Sequence, residues 1–570
     1  MTEVYLGIDL GTTTTLIAKA SQTKEKDAIE VKVLDIPQKD GQQGEVKMSY
    51  LPSVAYLNPA GAFSVGLEAQ VVGPKENPSR FVRAVKRQMG RRVILREVDK
   101  KPYEISALYL EKALKEGRYQ LPMGDMVFTV TVPASFTSNQ RADTLLALKL
   151  ACQNAGLPFP EKDEGQIFIS EPVAAMLAFL NEEFERSEGV RRLDFSKTNR
   201  IVVYDIGGGT LDLTMVFIEP QLPLKNLADL KIYVDNIGYY NPFGGEDFDL
   251  ILAQELFNRF LETNPSLKSV ELTPTQRLGI RLQLMNVAKK IKENLSPKMG
   301  PVDPFSDEDE DNSYYYQTDS TKGEYIRVKD QNYSFEGEIT VQEYKKIVEN
   351  LLFNPSRKSL VTPLRDLLEK SNLEASHIDG LLIVGGMGRL PLVEESLKEY
   401  WGTENKIWLY NPADHAVVTG AALYSLLRRR YPGFSLQEPA ADAYYVRLEK
   451  RFDLILPSKR TQGDIKSYEL NQESDRLLLQ LFAGEESPLG ESIENIYHTL
   501  IYQGGTSIKL GKKYPKGTHI FVQMLYEKEK KQDHTKLPWI YIWLEKQSAK
   551  PDFKYRYSDF VKEAHDEKGI

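Results

Sequence analysis

Cysteine is almost missing from this chain, with Cys152 the single copy in 570 residues. One thiol excludes an internal disulfide framework and any zinc site built on several cysteines, and it suits a reducing compartment. Positive charge is not in excess either. Lysine and arginine total 73 against 81 aspartates and glutamates, a formal net charge of −8. Nothing in that balance would neutralise a polyphosphate backbone, so nucleic acid is not an expected partner. A smooth apolar run is also lacking. The longest uncharged stretch, Met48 to Leu67, is broken by Pro52, Asn58, Pro59, Gly61 and Gly66, and it reads as strands and turns rather than as a membrane helix. The start, MTEVYLGIDLG, carries Glu3 and Asp9 where a secretory signal would have its apolar core. The expected setting is the cytoplasm, with no membrane partner. Neither the GxxxxGK[ST] phosphate loop nor GxGxxG occurs, and HExxH and GxSxG are absent as well.

What is present is an ordinary globular composition, 41% hydrophobic and 27% charged, far from the corner where chains stay disordered. The length suggests roughly three or four domains. The most informative feature is a duplication. Val4-Tyr-Leu-Gly-Ile-Asp9-Leu-Gly11-Thr12-Thr13 is echoed by Ile201-Val-Val-Tyr-Asp205-Ile-Gly207-Gly208-Gly209-Thr210. Each copy is a β-rich run, an aspartate, a glycine and threonine turn, and a second apolar run (Leu16 to Ala20; Leu211 to Ile218), which predicts a hairpin. Glycines at a hairpin tip let backbone N–H groups approach an anion, and threonine hydroxyls add neutral donors, a set suited to phosphate oxygens. An aspartate beside such a tip repels phosphate unless a divalent cation stands between them, so Asp9 and Asp205 fit hydrated magnesium. Either copy alone reads equally well as a plain tight turn; the spaced pair points to a nucleoside triphosphate clamped between lobes. A third glycine site, Leu381-Leu-Ile-Val384-Gly385-Gly386-Met-Gly388-Arg389, follows another apolar strand. Its glycines would let the backbone lie flat against a planar base, with Arg389 stacked on it.

Ile8-Asp-Leu-Gly-Thr-Thr13, Tyr204-Asp-Ile-Gly-Gly-Gly-Thr-Leu-Asp212 and Ile383-Val-Gly-Gly386 together resemble the actin, hexokinase and heat-shock chaperone ATPase superfamily. Thr131-Val-Pro-Ala134 with Gln140-Arg141, Ser170-Glu171-Pro172-Val-Ala-Ala175, Gly244-Gly-Glu-Asp-Phe-Asp249, Gly420-Ala-Ala422 and Ala84-Val-Lys86-Arg87-Gln-Met-Gly90-Arg91 look like the heat-shock-protein-70 (DnaK-like) chaperones. The likeness runs in order over about residues 3 to 428. It implies an α/β fold, a two-lobed ATPase domain over 1–430, with lobe I about 1–195 and lobe II about 196–430. ATP or ADP, magnesium and a potassium ion would occupy the cleft. By the same resemblance Gly11, Thr12, Thr13 and the Gly207, Gly208, Gly209 and Thr210 turn hold phosphates, Asp9 and Asp205 hold the metal through water, and Asp212 helps to place the monovalent cation. Lys86 would touch the γ-phosphate and the attacking water, Glu171 would orient or deprotonate that water, and Thr210 would assist. Around the adenosine, Lys292, Ser296, Gly385, Gly386, Arg389 and Asp414 match binding positions, while Lys289 replaces a ribose-binding glutamate and Met387 stands where serine is frequent. The strand Thr131-Val-Pro133, with Arg141 behind it, would report nucleotide state outward. The implied chemistry is slow ATP hydrolysis, which rests mostly on positioning and charge neutralisation.

Past Arg430 the pattern changes. Tyr431-Pro-Gly433 and Gln437-Glu-Pro-Ala-Ala441 mark a linker over 431–442, without the run of leucines flanked by aspartates that the family uses to couple its domains. Alternating runs such as Arg476 to Gly484, His519 to Tyr526 and Trp539 to Glu545 predict an all-β, sandwich-like domain over 443–570. The Trp539, Tyr541 and Trp543 stripe is expected to be sandwich core. Too little chain follows Trp543 for a helical lid like the family's, so the domain is expected to be lidless. The acidic run Asp307-Glu-Asp-Glu-Asp311 reads as a solvated loop. The expected function is a chaperone-like ATPase that binds unfolded or specific protein segments, aided by co-chaperones or a nucleotide exchange factor. The alternative is a nucleotide-switched assembly protein with one dedicated partner and little turnover. An actin-like filament former and a small-molecule kinase are further readings, but no segment supplies the acidic base that a sugar kinase requires.

Overall fold

The computed structural model describes residues 3–22, 29–40, 44–90, 93–121, 124–160, 167–238, 242–268, 272–299, 312–318, 325–354, 358–402, 406–438, 443–448, 451–456, 464–484, 501–525, 539–546 and 550–556. Arg91, the acidic run Asp307–Asp311, residues 439–442 of the expected linker and the side chain of Trp539 lie outside that description. The chain divides into two compact units, the first made chiefly of residues up to Leu436 and the second chiefly of residues from Gln437 onward.

Two six-stranded sheets of matching design carry the first unit. In lobe I, β1 (Glu3–Leu10) and β2 (Thr14–Gln22) form the expected hairpin, β3 (Ile29–Val33) continues it antiparallel, and the short β4 (Leu51–Pro52) also pairs with β2. On the other side of β1, β5 (Asp125–Val132) runs parallel to it and β6 (Phe168–Ser170) runs parallel to β5. The helix α1 (Glu171–Glu185) leaves β6 directly. Lobe II repeats the plan with β7 (Asn199–Ile206), β8 (Leu211–Pro220) and β9 (Leu230–Ile237) as an antiparallel run. The helices α2 (Gly245–Thr263) and α3 (Pro274–Leu295) follow. β10 (Gly380–Val384) then pairs parallel to β7 and β11 (Ile407–Leu409) parallel to β10. The helix α4 (Ala416–Arg430) comes next, and β12 (Ser435–Gln437) closes the sheet beside β9. Part of the stretch expected to be a linker is therefore a sheet edge.

Each central strand has its hairpin partner on one side, a parallel strand on the other, and helices over it. Strands covered on both faces read as continuous apolar runs rather than as alternation. Val4, Leu6 and Ile8 in β1 and Ile201 to Tyr204 in β7 are at most 1% exposed.

α1 packs on β7 and β8 of the second sheet, α4 packs on β1, β2 and β5 of the first, and the two helices cross. Met176, Leu177, Phe179 and Leu180 on α1 and Leu423, Leu426 and Leu427 on α4 are wholly buried, each contributing roughly 1.5–3 kcal/mol by removal from water. At the crossing the side chains are small, with Ala174, Ala175 and Ala178 facing the Gly420, Ala421 and Ala422 region. A Cβ on Gly420 would land on the Ala174 carbonyl, and one on Gly7 would land on the amide of Ala422. Glycine is required at both positions because backbone meets backbone.

In the second unit, β13 (Ala443–Leu448), β14 (Arg451–Leu456), β15 (Lys466–Glu469), β16 (Ser474–Gly484), β17 (Ile501–Tyr514), β18 (His519–Leu525), β19 (Trp539–Leu544) and β20 (Phe553–Arg556) form two four-stranded sheets, ordered β14-β13-β16-β17 and β15-β18-β19-β20. Val446, Leu479, Leu481, Val522, Ile540 and Ile542 belong to one apolar cluster fed by both sheets. Ile540, Ile542 and Leu544 point into that cluster, so strand alternation puts Tyr541 and Trp543 on the opposite face. Trp543 is buried as expected, but on the face away from that cluster, stacked on the partly buried Tyr541 at 6.0 Å between ring centroids. Among the described residues, no helix is long and apolar enough to cross a membrane.

Candidate functional site

The duplicated turns share one construction. β1 and β2 close at Leu10 and Thr15, and β7 and β8 at Ile206 and Leu211. The tips are therefore Gly11–Thr14 and Gly207–Thr210. The Gly11 amide donates to the Thr14 carbonyl at 2.9 Å, and the Gly207 amide donates to the Thr210 carbonyl at 3.0 Å. The tips face one another: a Cβ on Gly208 would overlap the Thr13 side chain, and one on Gly209 would overlap that of Thr12. The N-terminus of α2 braces the second tip, with the Gly245 and Glu246 amides donating to the carbonyls of Gly207 and Gly208 at 3.0 and 2.7 Å.

A cavity of about 810 Å³ opens between the tips and α3, a size ordinary for a small-molecule site. Asp9, Gly11, Thr12, Thr13, Lys86, Glu171, Asp205 and Gly207 to Thr210 line it at the tips. Lys292, Ser296, Gly385, Gly386, Arg389 and Asp414 line it beyond, together with Tyr50, Lys289, Met387 and Glu293. Of the site residues expected from sequence, Asp212 alone is not in the cavity wall; it is buried and paired with Asp205 across the hairpin.

Lys86 stands on a short 3-10 turn, Val85–Gln88, entered through Ala84 at φ 52°. A left-handed alanine is strained, and it aims the lysine inward. Lys86 Nζ donates to Glu171 Oε1, both side chains being less than a tenth exposed. Glu171 is fixed at the first turn of α1, directly after β6. Asp9 Oδ1 accepts from Thr131 Oγ1 at 2.8 Å, which ties the expected switch strand β5 to the acid cluster. Burial, reinforced by Glu171, pushes Asp9 up to about 6 against the pull of Lys86 and Thr131. Burial also lifts Asp205 well above the usual carboxylate range, with Glu171, Asp212 and Asp9 adding to it. For Lys86, burial works against the charge, but Glu171, Asp9 and Asp212 outweigh it and hold its pKa above the ordinary lysine value. Thr12 Oγ1 is buried with no hydrogen-bond partner among the described residues. Crowded acids and an unsatisfied buried hydroxyl fit a polyphosphate with a divalent cation. Among the described residues no cluster of three acidic, histidine or cysteine ligands converges on one point. Such a cation would be held through water and ligand oxygens, the arrangement that hydrated magnesium prefers.

The far end is a chain of contacts. Lys292 Nζ lies 2.7 Å from Asp249 Oδ1 and donates to the Gly245 carbonyl at 3.1 Å. Ser296 Oγ donates to the Arg389 carbonyl at 3.3 Å, and the Arg389 guanidinium pairs with Asp414. Gly385 adopts φ +86°, and a side chain there would strike the Ile206 carbonyl and Asp205. Lys289 Nζ is 3.8 Å from the Glu293 carboxylate.

Several residues escaped the sequence reading. Arg83 Nη2 donates to Glu246 Oε1 at 2.6 Å, and Arg87 donates to the Gly209 carbonyl through Nε at 3.0 Å. Both contacts bridge the lobes over the phosphate end. Arg87 and Glu246 sit inside recognisable segments, but nothing in a linear pattern pairs them; Arg83 and Tyr50 carry no local signal. Glu246→Ala should weaken the tie between the lobes by roughly 1 kcal/mol, the worth of a partly exposed ion pair. Thermal unfolding of the full chain checks this, and an unchanged main transition would dismiss the latch.

The Hsp70 protein family model matches residues 93–430. The chain is 30% identical over 430 residues to the chaperone protein DnaK of Thermotoga neapolitana, covering 75% of this chain and 59% of that protein. To the DnaK of Thermosipho melanesiensis it is 29% identical over 430 residues, again 75% of this chain and 59% of the relative. The chain thus spans 59% of the length of these curated relatives. With more than half its length matched by the family model, the chain belongs to the Hsp70 family.

Proposed function

We propose that the first unit binds ATP in the cavity and hydrolyses it slowly, and that the second unit, a β-sandwich, binds protein segments under nucleotide control. The observation that carries this reading is the meeting of the duplicated turns above the buried acids, with Lys86 among them.

In this reading the backbone amides of both tips and the Thr12, Thr13 and Thr210 hydroxyls donate to phosphate oxygens. Asp9 and Asp205 would hold magnesium and Asp212 would help to hold potassium, and the metal would supply charge neutralisation at the phosphates. Glu171 orients a water against the γ-phosphorus. The water oxygen forms the new P–O bond, the bond to the β,γ-bridging oxygen breaks, and the water's proton passes to Glu171. Lys86 is bonded to Glu171, which holds the carboxylate in place to orient that water. Lys86 meets the charge that develops on the transferred group. Lys292, Ser296, Gly385, Gly386, Arg389 and Asp414 seat the nucleoside.

Titration calorimetry with ATP and ADP, followed by turnover with and without a denatured protein, tests the proposal; binding with stimulated turnover is expected, and no binding ends it. The absent leucine linker favours one other reading, the assembly protein, which predicts a single stable partner and negligible turnover. The proposed partners are unfolded or specific protein segments, with co-chaperones or an exchange factor, in the cytoplasm.

Lys289 allows a sharper expectation. An ammonium has donors only and cannot accept from ribose hydroxyls. ATP and 2′-deoxy-ATP should therefore bind within about threefold of each other, whereas a site with an acceptor there would favour ATP by roughly tenfold. A competition titration decides, and a tenfold preference for ATP would mean that Lys289 donates to a ribose oxygen or that another group takes the ribose.

A further inference from the structure

We propose that the outer edge of β17 binds an extended protein segment by strand addition, and that this segment carries acidic residues at one end. The proposal rests on the reading that the second unit binds protein segments, and it names the edge and the chemistry of what the edge takes.

β17 is the last strand of its sheet, paired with β16 on one side only among the described residues. Its ladder is regular over the six residues Gly504 to Lys509, which face Leu481 to Arg476 in turn. At about 3.3 Å per residue that is roughly 20 Å of straight edge, the length of an ordinary strand. Half of the backbone N–H and C=O groups along it point away from β16, where another strand can pair with them. Past Lys509 the register shifts, and Leu510 to Lys513 stand opposite Asp475 alone, with Gly511 at φ +79°.

This bulge gathers positive charge. Lys509, Lys512 and Lys513 are exposed, and Lys509 stands directly opposite the exposed Arg476. Lys512 Nζ lies 4.8 Å from the centroid of the Tyr514 ring. Among the described residues none of these four cations forms an ion pair, not even with the neighbouring Asp475. Like charges placed opposite one another on a sheet destabilise it, and a carboxylate brought alongside Lys509 relieves that repulsion. The other end of the ladder, Gly504 and Gly505, is uncharged.

Lysine and a bulge on an edge discourage pairing with neutral strands and with copies of the same edge. A second copy would add its own four cations to the seam, whereas a segment with carboxylates at the matching end is drawn to them. A polyanion without a peptide backbone satisfies the cations but brings no N–H donors for the edge carbonyls. An acidic, extended polypeptide is the ligand that uses both.

The test is a fluorescence anisotropy titration of the full chain with a labelled peptide of three glutamates followed by alternating threonine and valine. Antiparallel pairing brings its N-terminal glutamates beside Lys509. It should bind about tenfold more tightly than the same peptide with glutamines, the sum of a few exposed charge contacts, and the preference should vanish at about 0.5 M salt. Lys509→Gln, Lys512→Gln and Lys513→Gln together should erase the preference and leave the glutamine peptide's affinity unchanged. N-methylation of alternate peptide residues, in one of the two registers, should weaken binding about tenfold or more, because it removes the donors of the new ladder. Equal affinity for the two peptides, a preference that survives in the triple variant, or full binding of both methylated peptides would each overturn the assignment. So would dimerisation of the chain that the acidic peptide competes away, since the occupant would then be a second copy. Failure of every peptide while denatured protein still stimulates turnover would remove this edge alone; failure of both would remove the segment-binding reading as well.

Discussion

Lys86→Ala should lower single-turnover ATP cleavage by about a hundredfold to a thousandfold, the usual cost of deleting one preorganised group aimed at developing charge, while nucleotide affinity changes little. The asymmetry follows from where Lys86 stands. In the proposed reading the tips and the far end of the cavity grip the nucleotide through many groups, whose contacts change little between binding and reaction. Lys86 is buried among Asp9, Asp205, Asp212 and Glu171, and its charge matters most when the γ-phosphoryl parts from ADP. Its loss also leaves Glu171 without its bonded cation, so the carboxylate is held less firmly. Lys86→Arg should not rescue, because a planar fork cannot occupy the space of a point charge on a narrow stem. Rapid-quench measurement with enzyme in excess gives the answer. Cleavage at the parent rate would take Lys86 out of the mechanism, and a collapse of ATP affinity would make it a binding residue instead.

Gly420→Ala should produce the largest loss of stability, about 3 kcal/mol or more. Overpacking ordinarily costs about 1–3 kcal/mol when a side chain can move aside. Here the obstacle is the Ala174 carbonyl, held in the backbone of α1, so one of the two crossing helices must shift. The helices are the pieces of each lobe that rest on the other lobe's sheet, and their displacement disturbs both. Thermal unfolding of the full chain should show the main transition lowered by on the order of 5 °C or more. Gly189→Ala is the control, since a Cβ there meets nothing within 4 Å, and it should stay within about 0.5 kcal/mol of the parent. An unshifted transition in Gly420→Ala would show that the two helices do not meet backbone to backbone at this position.

Much of the phosphate end was legible in the linear chain. Glycine, threonine and aspartate after an apolar strand announce a hairpin tip with donors and an acid, because the reasons for those residues are local: backbone freedom, hydroxyl chemistry, charge. The repeat of the pattern at Asp9 and Asp205 suggested two tips facing one ligand. The same reasoning erred where one periodicity allowed two faces. In β19 the alternation of Trp539, Tyr541 and Trp543 with Ile540, Ile542 and Leu544 is equally apolar on both sides, and the isoleucines took the core cluster.

The two hairpins, their tips and the acids beside them were determined by the sequence itself, since each depends on neighbours a few residues away. Folding in three dimensions alone decided that Lys86 would meet Glu171, that Thr131 would donate to Asp9, that Arg83 would reach Glu246, and that Tyr50 would wall a cavity shared with Arg389. Those pairings join segments far apart along the chain. Their partners are chosen by how two sheets and two crossing helices pack, and no local propensity or spacing encodes that choice.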